Sequence, residues 1–507
     1  MSFLYQLSDE TQFVLWRLLI FFGASIAFYW LGPFLNGLLF ASTRRIPGPF
    51  WARVSRFTEL RWVLKGDSNM QYIRLHSKYG PVVRVGPNRY SFSNPADIKI
   101  IYELGGKFTK TEFYKPLLAE EPDKQNIFAL MDAKVHKERR RKIANLYSMS
   151  IMISYEVAVD RMTEVCMRKL SEFASKKGQI SMPQFMQYYA FDVIGEITFN
   201  KSFNMMEAEG DKTGMIKGIH GANSYMAHIG LVPDLHPWIQ RLQSIMGNQQ
   251  GTNALLKFTF DQMEVHKGGN NSAGREGTAD SFLAKLLRMK ADNRVQMPHI
   301  LDTCGSNIGA GSDTTAISLS VALFYLYTNP ETLAKLRKEV DTMASESLIS
   351  DPVKFQEAQS MPYLQAVIKE TLRMHPAVGT ILPRKVPKGG LQLAGTYFPA
   401  GTNVGVNAWV LHYSKEIYGE DADIFRPERW LEPKYDGDLR DQMMFAFGGG
   451  SRACIGKNIS LLEMTKVLPQ IVRNFDFDVQ GGSKLKTYCA WFVYVDYMVT
   501  VKPRASS

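Results

Sequence analysis

Cys454 lies in FAFGGGSRACIG, residues 445–456, with Gly448, Gly449, Gly450 and Gly456 around it and Arg452 two positions before. A packing cysteine needs none of that, because glycine serves tight turns and close backbone approach. At the mouth of the helix that follows, a cysteine would feel free N–H groups that favour a thiolate. With no second cysteine or histidine nearby, a zinc site is excluded. Three readings stay open on the residues alone. The thiol is inert and packs as a small hydrophobe, or it is a nucleophile for which the sequence offers no base, or it is the single protein ligand of a haem iron.

A second group of polar residues sits at local cost. From about 298 to 326 the chain is nearly uncharged apart from Asp302 and Asp313, and Asn329-Pro330 ends the run. Apolar almost all round, it predicts a helix through the centre of the fold. As a membrane span it would carry Asp302, Asn307 and Asp313 at high cost. Its middle, GSNIGAGSDTT, is poor helix composition, since each mid-helix glycine costs about 1 kcal/mol relative to alanine. A bend is expected there, where something packs closely. Thr314 has a bland alternative, because threonine often bonds back within a helix. In MPYLQAVIKETLRMHP (361–376), Glu370 and Arg373 are three apart on one helix face and can pair. HKERRRK (136–142) is a solvated helix face, an anion site or the footprint of an acidic partner.

The elements that must position these residues read as mainly α with small β-sheet regions. Two β-type runs flank Gly-Pro-Asn near 79–95, and a mostly helical stretch runs from about 130 to 265. HKGGNNSAGREG (266–277) reads as an exposed polar loop. Short strands with Gly and Pro turns fill 381–406, NISLLEMTKVLPQIV is a helix, and the tail from Leu485 reads as strands. The formal charge of +11 comes without a basic stripe carrying aromatic platforms, which argues against nucleic acid. Cys166, Cys304, Cys454 and Cys489 are far apart with no CxxC pair, so no disulfide framework is expected.

Leu18 to Thr43 holds 26 consecutive residues without Asp, Glu, Lys or Arg. About 20 apolar residues span a bilayer core, so residues 1–43 read as an N-terminal membrane anchor with a transmembrane helix. Arg44 and Arg45 after it place the body on the cytosolic side. Residues 44–50 form a basic, proline-rich joint, and 51–507 read as one catalytic domain.

The motifs together resemble the cytochrome P450 family. FGGGSRACIG matches its haem-binding signature, Phe-x-x-Gly-x-Arg-x-Cys-x-Gly, at Phe447, Gly450, Arg452, Cys454 and Gly456. ETLR resembles the family's Glu-x-x-Arg, and FRPERW the segment whose arginine, Arg429, completes an ionic cluster with Glu370 and Arg373. AGSDTT resembles the oxygen-activating turn, at Ala310, Gly311, Asp313, Thr314 and Thr315, and RRIPGP resembles the hinge of microsomal members. All occur in family order across the chain.

The resemblance implies a P450 fold binding haem b, with Cys454 as the axial thiolate that tunes the iron. Phe447 would pack beside the sulfur, and Gly450 and Gly456 would let backbone N–H groups point at it. Arg452 and Arg384 (in LPRK) would pair with haem propionates, although Arg384 also reads as a surface arginine. His136 and Arg140 occupy the place of a family Trp-x-x-x-Arg pair, and an imidazole can still donate to a propionate. Arg139, Arg141, Lys142 and Lys457 would face solvent or an acidic electron donor. Thr314 would orient a water and Asp313 relay protons. Glu370, Arg373 and Arg429 would support the haem loop without touching substrate.

The activity implied by the resemblance is that of a monooxygenase inserting one oxygen atom from O₂ into a hydrophobic small molecule. Electrons would come from NADPH through a separate NADPH-cytochrome P450 reductase, with cytochrome b5 as a second candidate donor. The chain has no segment for flavin or nicotinamide. GEDADIFRPERWLE and KVPKGGLQLAGTYFPAGTNVGVN look like fungal microsomal members, which implies secondary-metabolite tailoring of a terpenoid, alkaloid, peptide or polyketide scaffold at the endoplasmic reticulum membrane. The rivals are a reductase-independent haem-thiolate isomerase or dehydratase and a non-catalytic haem sensor. Candidate pocket residues are Asn307, Ile308, Ala310, Val378, Thr380, Ile381 and Trp491.

Overall fold

The structure is a computed structural model that describes residues 14, 16–18, 20–25, 42–245, 258–262, 264, 279–433, 439–482 and 484–505. In chain order, the elements that matter for the site are α1 (Phe57–Lys65), β1 (Val82–Gly86), β2 (Arg89–Phe92), β3 (Thr109–Lys110), α2 (Ala133–Ile143), α3 (Glu156–Lys176), α4 (Met182–Phe199), α5 (Met215–Ile229), α6 (Met297–Thr328), α7 (Pro362–Met374), β4 (Arg384–Lys385), β5 (Asn403–Val406), α8 (Ala408–His412), α9 (Lys457–Asn474), β6 (Lys486–Ala490) and β7 (Phe492–Asp496).

Apolar composition on all sides sends α6 and α4 to the centre, where they pack on each other, and α9 and α7 close round α6. Pro298 in the first turn and Asn329-Pro330 at the end bound α6 as the sequence predicts. The expected bend does not interrupt it, since residues 305–315 are helical throughout. Hydroxyls along it are satisfied within the helix instead. Thr303 donates to His299 O at 2.7 Å, Ser312 to Ile308 O at 2.6 Å and Ser318 to Thr314 O at 2.9 Å.

A five-stranded sheet, in the order β1-β2-β5-β4-β3, lies beside the helices. Asn88 and its neighbours turn β1 back into β2 as an antiparallel hairpin, and β2 pairs with β5 in parallel register, Tyr90 opposite Val404. The joint at 44–50 is docked on this sheet. Ile46 is buried, and the Arg84 N–H donates to Pro47 O at 2.8 Å. The polar loop expected at 266–277 lies outside the described residues.

The anchor reading is corrected. Among the described residues no helix is long and apolar enough to cross a membrane. Most of the apolar run from 18 to 43 lies outside the described residues, and the described helical positions near it fall within 14–25. The transmembrane helix, the bilayer as partner and the single-pass endoplasmic reticulum placement therefore lose their structural support.

Candidate active site

Turn chemistry shapes the Cys454 loop. Gly448 and Gly450 have φ of 68° and 64°, a region L side chains rarely adopt, and a Cβ on Gly450 would run into the Tyr102 carbonyl. Gly448 N–H donates to Phe445 O at 2.9 Å and Cys454 N–H to Phe447 O at 2.8 Å, so the loop folds back on itself before α9. Gly456 differs. Its φ is −83°, and a Cβ there would meet no protein atom within 4 Å, so neither turn nor protein packing demands glycine.

Cys166, Cys304 and Cys489 are buried, whereas Cys454 has open surface. Protein nonetheless surrounds it closely enough that burial raises its thiol, opposed by the backbone N–H groups of Gly456 and Lys457 and by Arg140. The open area is what a ligand on the sulfur would cover, and those opposing groups favour a thiolate. Phe447 packs against the main core, with Lys457 Nζ 5.5 Å from its ring centre.

Around this sulfur the structure gathers cations. His136 and Arg140 lie one helical turn apart on α2. Arg384 heads β4, its guanidinium 4.9 Å from the Tyr102 ring centre, and Arg452 donates to Leu130 O at 2.7 Å. Burial, then Arg452, Arg140, Lys110 and Arg384, push the His136 imidazole down to about 3. Burial and Arg384 lower Arg452 to about 10. Burial lowers Arg140 as well. So many mutually facing cations are stable only with anions among them, and Asp132 is the carboxylate that acts on Arg452. The donor set therefore fits a group with two carboxylates and a metal open to a thiolate. Haem meets both conditions.

Lys110 belongs to this cluster and escaped sequence reasoning. It is buried on β3, it donates to Phe128 O, and its Nζ sits 4.0 Å from the Tyr114 and 3.8 Å from the Phe128 ring centres. Burial, with Arg384 and Arg452, lowers its pKa well below the usual lysine range. In FTKTEFYKP it reads as one lysine among several, because only the pairing of β3 with β4 brings it to Arg384.

Glu370, Arg373 and Arg429 meet with no side-chain exposure. Arg373 forks onto both Glu370 oxygens at 2.8 and 2.7 Å, Arg429 Nε donates to Oε1 at 2.9 Å and Trp430 Nε1 to Oε2 at 2.8 Å. Every lone-pair region of a buried carboxylate is thus used. His412 carries this cluster to the cysteine loop. Its Nδ1 lies 2.8 Å from Arg373 O, and Phe445 N–H donates to its Nε2 at 2.9 Å. These partners fix a neutral Nδ1–H tautomer. Burial, then Arg373, push the ring's pKa down to about 3.

On α6 the two expected oxygen-activating residues have different surroundings. Thr314 Oγ1 donates to Ala310 O at 2.9 Å on an accessible stretch of the helix. Asp313 is buried, accepting from Gln187 Nε2 at 2.7 Å and from the Tyr494 hydroxyl at 3.1 Å, with His220 Nε2 3.3 Å away. The candidate pocket residues divide. Val378 and Trp491 share an apolar cluster with Phe113, Tyr114 and Ile317, and Ala310 is exposed. Thr380 is buried with no partner for its hydroxyl among the described residues. Ile308 belongs to the main helical core and Ile381 to the sheet core. Asn307 is tied to the Tyr147 hydroxyl at 2.6 Å and to Thr198 at 3.4 Å.

The thiol loop, the cationic cradle, the central helix and the buried ionic cluster fit a haem-thiolate protein that is mainly α with small β regions. The cytochrome P450 family model matches residues 47–503, so the chain belongs to that family and is a cytochrome P450 monooxygenase. A pisatin demethylase of Fusarium vanettenii is 44% identical over 477 residues, covering 93% of both chains. A cytochrome P450 monooxygenase of Aspergillus terreus is 36% identical over 446 residues, 85% of this chain and 89% of that one. A crystal structure of a cytochrome P450 superposes with a TM-score of 0.74 at 19% identity, over 90% of this chain and 98% of that chain, which speaks for the fold. Membership implies haem held by a cysteine thiolate.

Proposed function

We propose that this chain is a fungal tailoring monooxygenase that removes a methyl group from a hydrophobic aromatic secondary metabolite, with NADPH-cytochrome P450 reductase as electron donor. Its catalytic domain spans 51–507, with 44–50 as the joint before it. Cys454 would ligate the haem iron, Arg140, Arg384, Arg452, His136 and Lys110 would hold its carboxylates, and Asp313 and Thr314 would handle protons. The observation that carries the reaction class is the accessible Cys454 thiol beside a cluster of cations, together with a central helix that carries an accessible hydroxyl, Thr314, and a buried acid, Asp313. The pisatin demethylases, matched over most of both chains, support the substrate reading. So do the aromatic rings of Phe113, Tyr114, Phe128 and Trp491, whose centres lie 5.3–6.4 Å apart where they meet.

When bound, the haem supplies oxygen activation and attack on the C–H bond. The chain's own residues supply the rest. The Cys454 loop fixes the ligand, the cations neutralise the propionates, and the apolar lining of Val378, Trp491 and Phe113 excludes water from the substrate. Thr314, released from Ala310 O, can hold a water at its hydroxyl, and Asp313 stores a proton beside it. Hydroxylation of a methyl carbon on a heteroatom leaves a carbinol that collapses to formaldehyde and the freed heteroatom. One O₂ and one NADPH are consumed and one water forms.

The test is a difference-spectral titration of the ferric holoenzyme with pisatin, followed by turnover with NADPH and reductase. The reading expects a saturable shift of the ferric absorption spectrum and formaldehyde equal to the demethylated product. Product formed from an organic peroxide and never with reductase would overturn the monooxygenase part. Saturable turnover of other scaffolds, with pisatin inert, would overturn the substrate part alone.

A further inference from the structure

Asp313 has no side-chain exposure, yet partners from three separate elements reach it. Gln187 comes from α4, His220 from α5 and Tyr494 from β7, at 2.7, 3.3 and 3.1 Å respectively. Among these partners His220 alone has a ring nitrogen that can either accept a hydrogen bond or carry a proton to donate, and its side chain is 37% exposed. The titratable groups facing it from other elements are Asp313 and Tyr494, whose ring centre lies 4.6 Å away, and Gln187 is the neutral third neighbour. Burial, with Asp313, raises the Tyr494 phenol, so it keeps its proton.

The hydrogen-bond arithmetic gives His220 two states. A carboxylate only accepts, so Gln187 must turn its NH₂ toward Asp313. The second N–H of that amide then points at His220 Nε2, 2.9 Å away. A neutral imidazole accepts that bond with Nε2 and carries its proton on Nδ1. A protonated imidazole has no lone pair left for Gln187, and its Nε2–H faces Asp313 Oδ1 instead. One proton therefore exchanges His220's partner from the amide to the acid.

We propose that His220 is the outer proton donor of the oxygen-activating acid, loading Asp313 from solvent, a role that rests on the monooxygenase reading. A solvent proton adds to Nε2. The Nε2–H bond then breaks as Oδ1–H forms, which returns the imidazole to its neutral form bonded to Gln187. Asp313, now a neutral acid next to Thr314, is the inner store. The same contacts fasten α5, the helix over this side of α6, to α6 and β7.

Two measurements on the holoenzyme test this. In the diamagnetic ferrous carbonyl complex labelled with [¹³C]histidine, the His220 signal is the one lost in His220→Gln. Its titration midpoint should fall by about 1 pH unit or more in Asp313→Asn, because a carboxylate favours imidazolium. An unchanged midpoint overturns the proposal independently of any substrate. In the second, NADPH-driven O₂ reduction without added substrate is partitioned between hydrogen peroxide and water from about pH 6 to about pH 9. Wild type should form less water as pH rises. His220→Gln, which keeps a hydrogen bond but carries no exchangeable charge, should form about tenfold less at low pH and lose the slope. His220→Lys should keep water formation high across the range. A His220→Gln profile that overlays wild type overturns the proposal.

Discussion

Single side chains at this site matter by charge more than by bulk. Cys454→Ser should abolish the long-wavelength ferrous carbonyl band while far-UV circular dichroism stays close to wild type, because Gly448, Gly450 and the Phe447 carbonyl shape the turn and a serine oxygen can still accept from the N–H groups that face the sulfur. Lys110 gives the sharper test. It is buried against Arg384 and Arg452, and their charge adds to burial in lowering its pKa. Lys110→Met removes one of several repelling cations from the apoprotein and one of several attracting cations from the holoenzyme. The apoprotein should therefore unfold at higher urea, while haem leaves the holoenzyme roughly tenfold faster, the loss expected for one charge-assisted hydrogen bond. Faster haem loss without the gain in apoprotein stability would mean that Lys110 acts through packing on Tyr114 and Phe128.

Between elements, α7, α8 and the cysteine loop form one chain of contacts through Glu370, Arg373, His412 and Phe445. Glu370→Ala strands Arg373 and Arg429 in the core, a loss of about 3–5 kcal/mol, so folded, haem-loaded protein should be scarce on expression. Trp430→Phe removes one bond to the carboxylate and should cost about 1.5–3 kcal/mol in urea unfolding. His412 makes the region acid-sensitive. Its native pKa of about 3 lies below the unfolded value near 6.5. The unfolded state then binds more protons between those values, so this stability is complete above about pH 6.5 and is lost as pH falls toward 3. Between about pH 7 and pH 5, His412→Asn should lose about 2 kcal/mol less than wild type in urea unfolding. The Cys454 turn and the Glu370–Arg373 pair were legible because their chemistry lies within a few residues of sequence. His412, Lys110, Gln187, His220 and Tyr494 were not, since each reaches its partner through packing of distant segments. The face of α6 was legible only in part. Ile308 and Asn307 read as pocket candidates, and only the fold shows Asn307 bonded to Tyr147 and Thr198 and Ile308 packed in the helical core. α6 runs unbroken through its glycines and polar residues, where hydroxyls bond back to carbonyls four residues earlier.

Over the whole molecule, the formal charge of +11 is not spread evenly. On α2, Lys134, Lys137 and Arg141 are exposed at helical spacing, and the other face of the helix carries His136 and Arg140 into the cradle. Lys457, exposed at the start of α9, adds to this side next to Cys454. Arg139 does not join them, because its guanidinium donates to Gln125 O at 2.7 Å and Pro122 O at 2.8 Å. A basic face lying over the thiolate loop suits an acidic electron donor, whose approach is steered by charge and weakened by salt. Reduction of the ferric protein by NADPH and reductase, followed as the ferrous carbonyl complex, should therefore slow as ionic strength rises. Lys137→Glu with Arg141→Glu should lower the low-salt rate by about tenfold and flatten its salt dependence. Reduction by dithionite, which needs no docking, should reach the same yield in both proteins. If the double variant keeps the wild-type salt dependence, the donor docks on another face and the α2 stripe is only a solvated surface.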